Sequence, residues 1–236
     1  GISNADTISI ENVRVVNTEN YGIELHSDLS SNIDINEVSI SKTTNQGIFI
    51  EAGISCLSIR NSSIKNIQTD ESAIVIGGDV KNILLDNVTI SNVGKGITVS
   101  AGNDSNIVNS VVSNCSGANP HSLKISAVEN ILIENCSFLS SVTGATAGAG
   151  TGGGLETCTN AIFNNVHSNG HQGDEAYSFR LTESCSSCAF TDCYAKGNVA
   201  LSETPLVDGS HGWMLKDAQS CQLTNCVSSG HVGGTV

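Results

Sequence analysis

The sequence is poor in the residues that commonly fill a helical or aromatic core. It has one Trp, three Tyr, five Phe and two Pro among 236 residues, and no helix-length hydrophobic pattern. It also lacks the roughly 18-residue apolar run of a transmembrane helix, and its first residues lack the basic end and apolar stretch of a signal peptide. These absences exclude a helical fold and predict neither a membrane span nor a cleavable leader.

Positive charge is also scarce, since the formal net charge is −13. Nucleic acids bind proteins through basic faces that neutralise their phosphates, so we expect no nucleic-acid partner and no anionic membrane partner. A polyanionic ligand would be repelled at long range. A site for such a ligand would therefore need its own local positive charge.

Cysteine is the one reactive residue that is abundant, with nine copies. The chain is too long to be a small scaffold held together by disulfides. Cys185 and Cys188 form a CxxC pair, but no second Cys or His pair follows at zinc spacing. We therefore predict no metal site and no cofactor.

A short segment recurs along the whole chain in the frame apolar–x–apolar–x–Asn–apolar–x–apolar. Its copies follow one another at steps of 22 to 33 residues, and the Asn position holds Asn in seven of nine copies and an acidic residue in the other two. A regular internal repeat indicates a repeat architecture. In chain order this column contains Asn12, Glu37, Asn61, Asn87, Asn109, Asn135, Asn165, Asp192 and Asn225.

Each copy contains a further apolar segment, often after a glycine, such as GIEL at 22–25 and GIFI at 47–50. A unit of about 25 residues that holds three short alternating strands and no helix is typical of one coil of a parallel β-solenoid. The sequence thus predicts an all-β single domain over residues 1–236, with about nine coils. We expect the Asn column to form a ladder at a buried turn, where Asn tolerates the left-handed conformation and its amide satisfies the backbone.

This repeat resembles the right-handed, single-stranded parallel β-helix of the pectate-lyase-like superfamily over essentially the whole chain. That superfamily includes lyases, hydrolases, epimerases, phage tailspikes and adhesins. The resemblance implies a sugar groove whose floor is the sheet containing GIEL, here named the GIEL sheet, and whose walls are the preceding loops. Because the pattern continues to Cys226 without a capping helix, we expect the chain to be a segment of a larger protein, or its ends to be covered by partner chains.

The repeat frame assigns positions to several cysteines. Cys136, Cys193 and Cys226 take the apolar position after the Asn column, while Cys188 and Cys221 take the first apolar position. We expect reduced core thiols, since free Cys is commonly buried. The alternative is a disulfide between neighbours on adjacent coils, Cys188 with Cys221 or Cys193 with Cys226.

Ionisable residues gather on the later coils of the GIEL sheet. The frame aligns Lys124, Glu156 and Arg180 outward on three successive coils, about 5 Å apart. At the strand starts of these three coils and of the next one it aligns four further residues. These are His121, Gly153, Tyr177 and His211.

Three long insertions precede the strands of these coils, at 139–153, 169–176 and 196–210. Insertions on a rigid solenoid commonly carry function, so we expect them to wall a groove above the ionisable column. His171, within the second insertion, is a further candidate for substrate binding.

Two segments resemble elements of polygalacturonases: GSHGWML at 209–215 and GDEAYSF at 173–179. The resemblance implies that His211 matches the family's conserved histidine and that Asp174 and Glu175 match its paired acids. The chain has no match to the family's Asn-Thr-Asp element one coil earlier.

A third segment, YGIELH at 21–26, resembles the YGFDPH element of mannuronan C5-epimerases. Tyr21, Glu24 and His26 would then match that element's Tyr, Asp and His. The segment lies on the first coil, far from the long insertions.

The expected function is binding of a polysaccharide, together with its cleavage or modification. In β-elimination, Lys124 and Arg180 would neutralise a uronate carboxylate, and Tyr177, His121 or His211 would act as base and acid. In hydrolysis, Glu156 would act with a second carboxylate. The candidates for that carboxylate are Asp174, Glu175 and Asp208.

The alternative function is a non-catalytic adhesin or a structural spike. High Ser, Thr, Asn and Gly content and unpaired thiols suit a viral fibre, for which a homotrimer is the expected assembly. Both functions predict an extracellular or virion-associated protein, and phage tailspikes combine the two.

Overall fold

The computed structural model describes residues 7–26, 32–51, 53–68, 70–143, 149–201 and 209–233. In these residues the chain is all-β, and no helix has the length and apolar character needed to cross a membrane. All paired strands run parallel and stack coil upon coil. The fold is therefore the predicted parallel β-solenoid.

Short strands alternate with tight corners along the entire described chain. In chain order they are β1 Thr7–Glu11, β2 Arg14–Thr18, β3 Ile23–Leu25, β4 Asn32–Asn36, β5 Ser39–Thr43, β6 Ile48–Ile50, β7 Cys56–Arg60, β8 Ser63–Lys65, β9 Ser72–Ile76, β10 Val80–Asp86, β11 Thr89–Val93, β12 Lys95–Val108, β13 Val111–Gly117, β14 His121–Glu134, β15 Ser137–Thr143, β16 Ala149–Glu156, β17 Thr159–Asn164, β18 His167–Asn169, β19 Gln172–Gly173, β20 Glu175–Thr182, β21 Ala189–Thr191, β22 Tyr194–Lys196, β23 Val199–Ala200, β24 Ser210–Leu215, β25 Gln222–Thr224 and β26 Val227–Ser229.

All of these strands except β19 and β23 form three stacked columns; β23 pairs with β19, which pairs with β15. The strands before the Asn corner stack in the order β1-β4-β7-β10-β12-β14-β17-β21-β25, and those after it in the order β2-β5-β8-β11-β13-β15-β18-β22-β26. The GIEL sheet stacks as β3-β6-β9-β12-β14-β16-β20-β24. β12 and β14 each run without a break from the GIEL sheet into the column before the next Asn corner. Each of them therefore belongs to both columns.

The strand register confirms the repeat frame before the Asn corner. Ile10 pairs with Ile35, and Leu85 pairs with Ile107. This agreement continues to the last coil, where Phe190 pairs with Leu223. The central members of this column are fully buried, and each such side chain contributes roughly 1.5–3 kcal/mol through removal from water.

The Asn column forms the predicted ladder. All nine of its residues have φ between 50° and 55°, in the left-handed region. The amide of Asn87 donates to Asn61 Oδ1 at 2.9 Å, and the amide of Asn165 donates to Asn135 Oδ1 at 2.9 Å. The expected burial of this turn is wrong, because the column is exposed to solvent. Backbone N–H groups here are instead satisfied by the next coil, as when Asn61 N donates to Asp86 O at 3.0 Å.

A second column of left-handed residues lies five positions after the first on every coil, with φ between 55° and 73°. Its amides also stack, since Asn92 donates to Asn66 Oδ1 at 3.4 Å and Asn114 donates to Asn92 Oδ1 at 3.2 Å. The repeat frame missed this corner because its residue type varies. The column contains Asn17, Lys42, Asn66, Asn92, Asn114, Ser140, Gly170, Gly197 and Gly230.

All the cysteines are reduced, as predicted, but two of the five that the repeat frame places in the core, Cys221 and Cys226, are partly exposed. All nine are free thiols, and Cys136, Cys188 and Cys193 are buried. Cys136 Sγ donates to Glu134 O at 3.2 Å. Ser110 takes the same position on the preceding coil, and its hydroxyl donates to Val108 O at 2.8 Å. This position therefore accepts a small side chain that returns a hydrogen bond to its own strand.

Because Asn135 has a φ of 52°, we expect its Ala and Gly variants to differ in their free energy of unfolding. Asn135→Ala should lower the free energy of unfolding by about 1–3 kcal/mol, because the left-handed conformation is strained for Ala and two amide bonds are lost. Asn135→Gly should lower it less, since Gly adopts this conformation freely. Urea unfolding measures both values.

Asn106→Ala is the matched control, because Asn106 is an exposed asparagine of β12 outside the left-handed columns. It should change the free energy of unfolding by less than about 0.5 kcal/mol. Equal losses for Ala and Gly at Asn135 would contradict the role given to the backbone conformation.

Candidate functional site

The outward column of the GIEL sheet differs from the prediction at one coil. Lys124 pairs with Gly154, and Gly154 pairs with Arg180. Glu156 therefore lies two residues further along β16, opposite Ser126 and Thr182. The expected Lys124–Glu156–Arg180 column is thus wrong in register, although Glu156 remains on the same outward face.

The physical reason is the packing of large rings inside this coil. The correct register places Gly153 at an inward position, where a Cβ would lie 3.5 Å from the rings of Phe163 and Phe179. These rings fill the space that Ile or Leu fills on other coils. Thr151, rather than Gly153, then follows His121 at the strand start.

A cavity of about 280 Å³ lies above Gly154. No side chain crowds this point, since a Cβ on Gly154 would have its nearest neighbours at 3.7 Å. Of the predicted site residues, the structure brings four to the cavity lining. These are His121, Lys124, Glu156 and Arg180.

One ion pair spans the cavity floor. Lys124 Nζ lies 3.0 Å from Glu156 Oε2, and Ser126 Oγ donates to the same oxygen at 3.1 Å. Both charged side chains are partly exposed, so the pair contributes little to stability. In the described residues Arg180 forms no ion pair, and its buried Nε has no hydrogen-bond partner. The cavity therefore carries a net positive charge on an acidic protein.

An aromatic stack supports Arg180 from the start of its own strand, β20. The guanidinium carbon lies 5.5 Å from the Tyr177 ring centroid, within cation–π range. The Tyr177 ring stacks on His211 at 5.8 Å, and its hydroxyl donates to Glu175 Oε2 at 2.9 Å. Because Tyr177 is fully buried, it orients the guanidinium rather than facing the cavity.

His121 is held at the edge of the cavity by a short polar chain. Its Nε2 lies 3.1 Å from Thr98 Oγ1, which lies 3.2 Å from Ser72 Oγ. Burial, with further contributions from Lys95 and Lys124, lowers the pKa of His121 to about 3. The imidazole is therefore neutral at physiological pH.

The structure does not bring His171 to the cavity. Its ring is fully buried at the second corner, where Nδ1 accepts a hydrogen bond from Ser141 N at 3.1 Å and Nε2 lies 2.9 Å from Ser168 Oγ. The next coils repeat this arrangement, since Asn198 Oδ1 accepts from His171 N and His231 Nδ1 accepts from Asn198 N. Sequence analysis missed this buried polar ladder, whose signal is the recurring Gly-His or Gly-Asn pair.

The insertion at 169–176 does not form a free wall, because part of it is strand β19, which pairs with β15 and β23. Asp174 is partly exposed between β19 and β20. Asp208 lies outside the described residues, as do parts of the other two insertions. The cavity wall that is described comes from Asn119, Pro120 and Ala149.

The YGIELH segment forms a separate cluster four coils from Lys124. Tyr21 stacks on Phe49 with ring centroids 5.3 Å apart. His26 lies between two carboxylates, 3.4 Å from Glu24 and 3.0 Å from Glu51. The cluster is exposed and does not join the cavity.

No metal site within the described residues and no relative of known function is added to this picture. In the described ranges no group of three or more His, Cys, Asp or Glu side chains could hold a metal ion. The chain matches no model of a known protein family, and no curated protein sequence matches it significantly. The structure therefore shows a parallel β-solenoid without assigning it to a family, and a fold does not imply a function.

The buried His171 predicts acid sensitivity. Burial lowers its pKa to about 3, whereas in the unfolded chain it titrates near 6.5. The unfolded chain thus binds more protons between these values, and the free energy of unfolding falls as the pH falls below about 6.5. His171→Asn, which copies Asn198, should remove up to about 1.4 kcal/mol per pH unit of this dependence between roughly pH 6 and 5.

Urea unfolding at several pH values from neutral to mildly acidic measures this slope. His167→Asn is the control, because His167 is an exposed histidine on the neighbouring strand. An unchanged slope in His171→Asn would show that His171 is not held neutral by the fold.

Proposed function

We propose that the protein binds an acidic polysaccharide in the cavity above Gly154 and cleaves it by β-elimination. The observation that carries this proposal is Arg180, a cation without a carboxylate partner in the described residues, beside the Lys124–Glu156 pair. Leaving a charged group without a partner is costly. An arginine fork matches a carboxylate with two parallel hydrogen bonds.

A sugar polymer suits the shape and lining of the cavity. Its volume of about 280 Å³ is near the lower end for ligand pockets, which fits a short segment of a longer chain. The lining offers the hydroxyls of Thr151 and Thr182, the amide of Asn119 and backbone at Gly154. Such small donors and acceptors complement sugar hydroxyls. At physiological salt, repulsion between an acidic polysaccharide and the acidic groups outside the cavity is screened over about 8 Å.

The number of carboxylates favours elimination over hydrolysis. Most glycosidases place a carboxylate on each side of the scissile bond. Glu156 is the one carboxylate that lines the described part of the cavity, and Glu175 is engaged by the Tyr177 hydroxyl. Elimination needs a cation at the uronate carboxylate and one proton acceptor.

His121 is the proton acceptor we propose. Its neutral imidazole would take the proton on the carbon next to the uronate carboxylate, and water would protonate the departing glycosidic oxygen. Burial is the main cause of the low pKa of His121, and Lys95 and Lys124 lower it further. A bound carboxylate would offset the charge of the two lysines and would thereby raise this pKa.

The second candidate function is glycan binding without cleavage, in an adhesin or a spike that assembles as a homotrimer. The buried position of Tyr177 favours it, because this removes one of the expected acid–base residues from the cavity. Both functions act on surface polysaccharides, outside cells or on a virion.

Incubating the chain with pectic, alginate and capsular polysaccharides distinguishes cleavage from binding alone. Elimination should produce the ultraviolet absorbance of an unsaturated uronide together with new reducing ends. Arg180→Gln should weaken binding and turnover about 10- to 100-fold, because it removes a charge-assisted hydrogen bond. Arg14→Gln is the control, since Arg14 is an exposed residue of β2 far from the cavity.

Binding on a glycan array with no absorbance and no reducing ends would support the adhesin. Arg180→Gln binding as tightly as the unmodified chain would contradict the proposed role of the cavity in both functions.

A second prediction tests the cavity without changing its charge. Gly154→Leu should abolish binding by filling the floor, while its melting temperature stays within about 2 °C, since the Cβ meets no close neighbour. Gly154→Ala is the matched control and should retain most binding. Full activity in Gly154→Leu would place the substrate elsewhere on the protein.

A further inference from the structure

Six of the nine cysteines form three pairs on neighbouring coils near the end of the described chain. The pairs are Cys158–Cys185, Cys188–Cys221 and Cys193–Cys226, and the two side chains of each pair interact directly. We propose that the last two pairs are oxidation sites, where a peroxide joins Cys193 to Cys226 and Cys188 to Cys221. This inference is independent of the polysaccharide proposal.

The strand register places each pair directly opposite. Tyr194 pairs with Val227, and Val227 N donates to Cys193 O at 2.9 Å, so Cys193 lies opposite Cys226. In the same way, Gln222 N donates to Cys188 O at 2.9 Å, which places Cys188 opposite Cys221. Neighbouring strands lie about 4.8 Å apart, within the Cα separation of about 4.4–6.8 Å that disulfides span.

The side chains of a pair also point the same way. Cys193 Sγ donates to Phe163 O at 3.5 Å, and Cys226 Sγ donates to Phe190 O at 3.4 Å. Phe163 and Phe190 are themselves paired in register. The two thiols therefore repeat one conformation on successive coils, and a disulfide requires rotation about side-chain bonds rather than a new backbone path.

The members of each pair differ in exposure, which gives them different chemical roles. Cys221 and Cys226 are partly exposed, whereas Cys188 and Cys193 are buried. Burial raises the pKa of Cys188 and Cys193 to about 12, and the neighbouring thiols act in the same direction. The exposed thiol is thus the one that meets an oxidant, and the buried thiol stays protonated until then.

The chemistry balances with hydrogen peroxide as the oxidant. The Cys226 thiolate attacks one peroxide oxygen, the O–O bond breaks, and Cys226 becomes a sulfenic acid as hydroxide leaves. Cys193 sulfur then attacks the Cys226 sulfur, and its proton joins the departing hydroxide to form water. Two thiols and one peroxide thus give one disulfide and two waters. Cys221 and Cys188 react in the same way.

Disulfides at Cys188–Cys221 and Cys193–Cys226 would link the last described coil covalently to the coil before it. The partners of each pair lie 33 positions apart, and the enclosed chain includes β24 with His211. β24 pairs with β20, which carries Tyr177 and Arg180. Cys158–Cys185 provides an internal comparison, because both thiols are fully buried and an oxidant reaches neither directly.

To test this, the folded chain is treated with hydrogen peroxide. It is then digested, without reduction, by a protease that cleaves the peptide bonds following Phe190 and Leu223. These residues separate the two cysteines of each coil, so mass spectrometry resolves the two links. We expect Cys193–Cys226 and Cys188–Cys221 links before any Cys158–Cys185 link. The melting temperature should rise by about 5–10 °C and return after reduction.

Two serine variants act as controls. Cys226→Ser should lose its link and keep the fold, because Ser62 and Ser110 take the same position on other coils. Cys193→Ser should leave a Cys226 sulfenic acid that dimedone traps. Oxidised Cys226 and Cys221 without intrachain links, or links formed only between chains, would overturn the proposal.

Discussion

Backbone hydrogen bonds between successive coils hold this protein together, and they form in register because every coil turns at the same two places. At each place a residue adopts the left-handed conformation, and the two residues lie five positions apart on all nine coils. This spacing gives the strand between them a constant length. Variation in coil length is therefore confined to the other side of the coil, where the long insertions lie.

That constraint also shapes the candidate site. Because the corners keep the coils aligned, outward side chains on the GIEL sheet stack at a fixed spacing whatever their chemistry. The core of the later coils is built from Phe rings that replace the aliphatic residues of earlier coils. These rings occupy the space beside Gly153, and the adjacent Gly154 leaves the outward face open above them. Two adjacent glycines thus have different roles: Gly153 makes room for the Phe rings of the core, and Gly154 leaves the cavity open on the outward face.

Sequence analysis predicted the strands, their register before the Asn corner and the burial of Cys136, Cys188 and Cys193, because each of these features follows the repeat. Its errors lie where the repeat is interrupted. At β16 the apolar pattern contains glycines, and the alignment followed Leu155 into the wrong inward position. The exposure of the Asn corner was also misjudged, since an amide that stacks on its neighbours satisfies the backbone equally well at the surface.

The amino-acid sequence alone determined the solenoid. A repeat of about 25 residues with short strands and an Asn at one corner is typical of stacked β-coils. It also located the ionisable residues on the later coils. Tertiary structure alone decided which of them share a cavity. Lys124, Glu156 and Arg180 meet there, whereas Tyr177 and His171 are buried. The physical reason is that facing in or out depends on the fit of neighbouring rings and glycines, which belong to other coils and lie about 25 to 30 residues away.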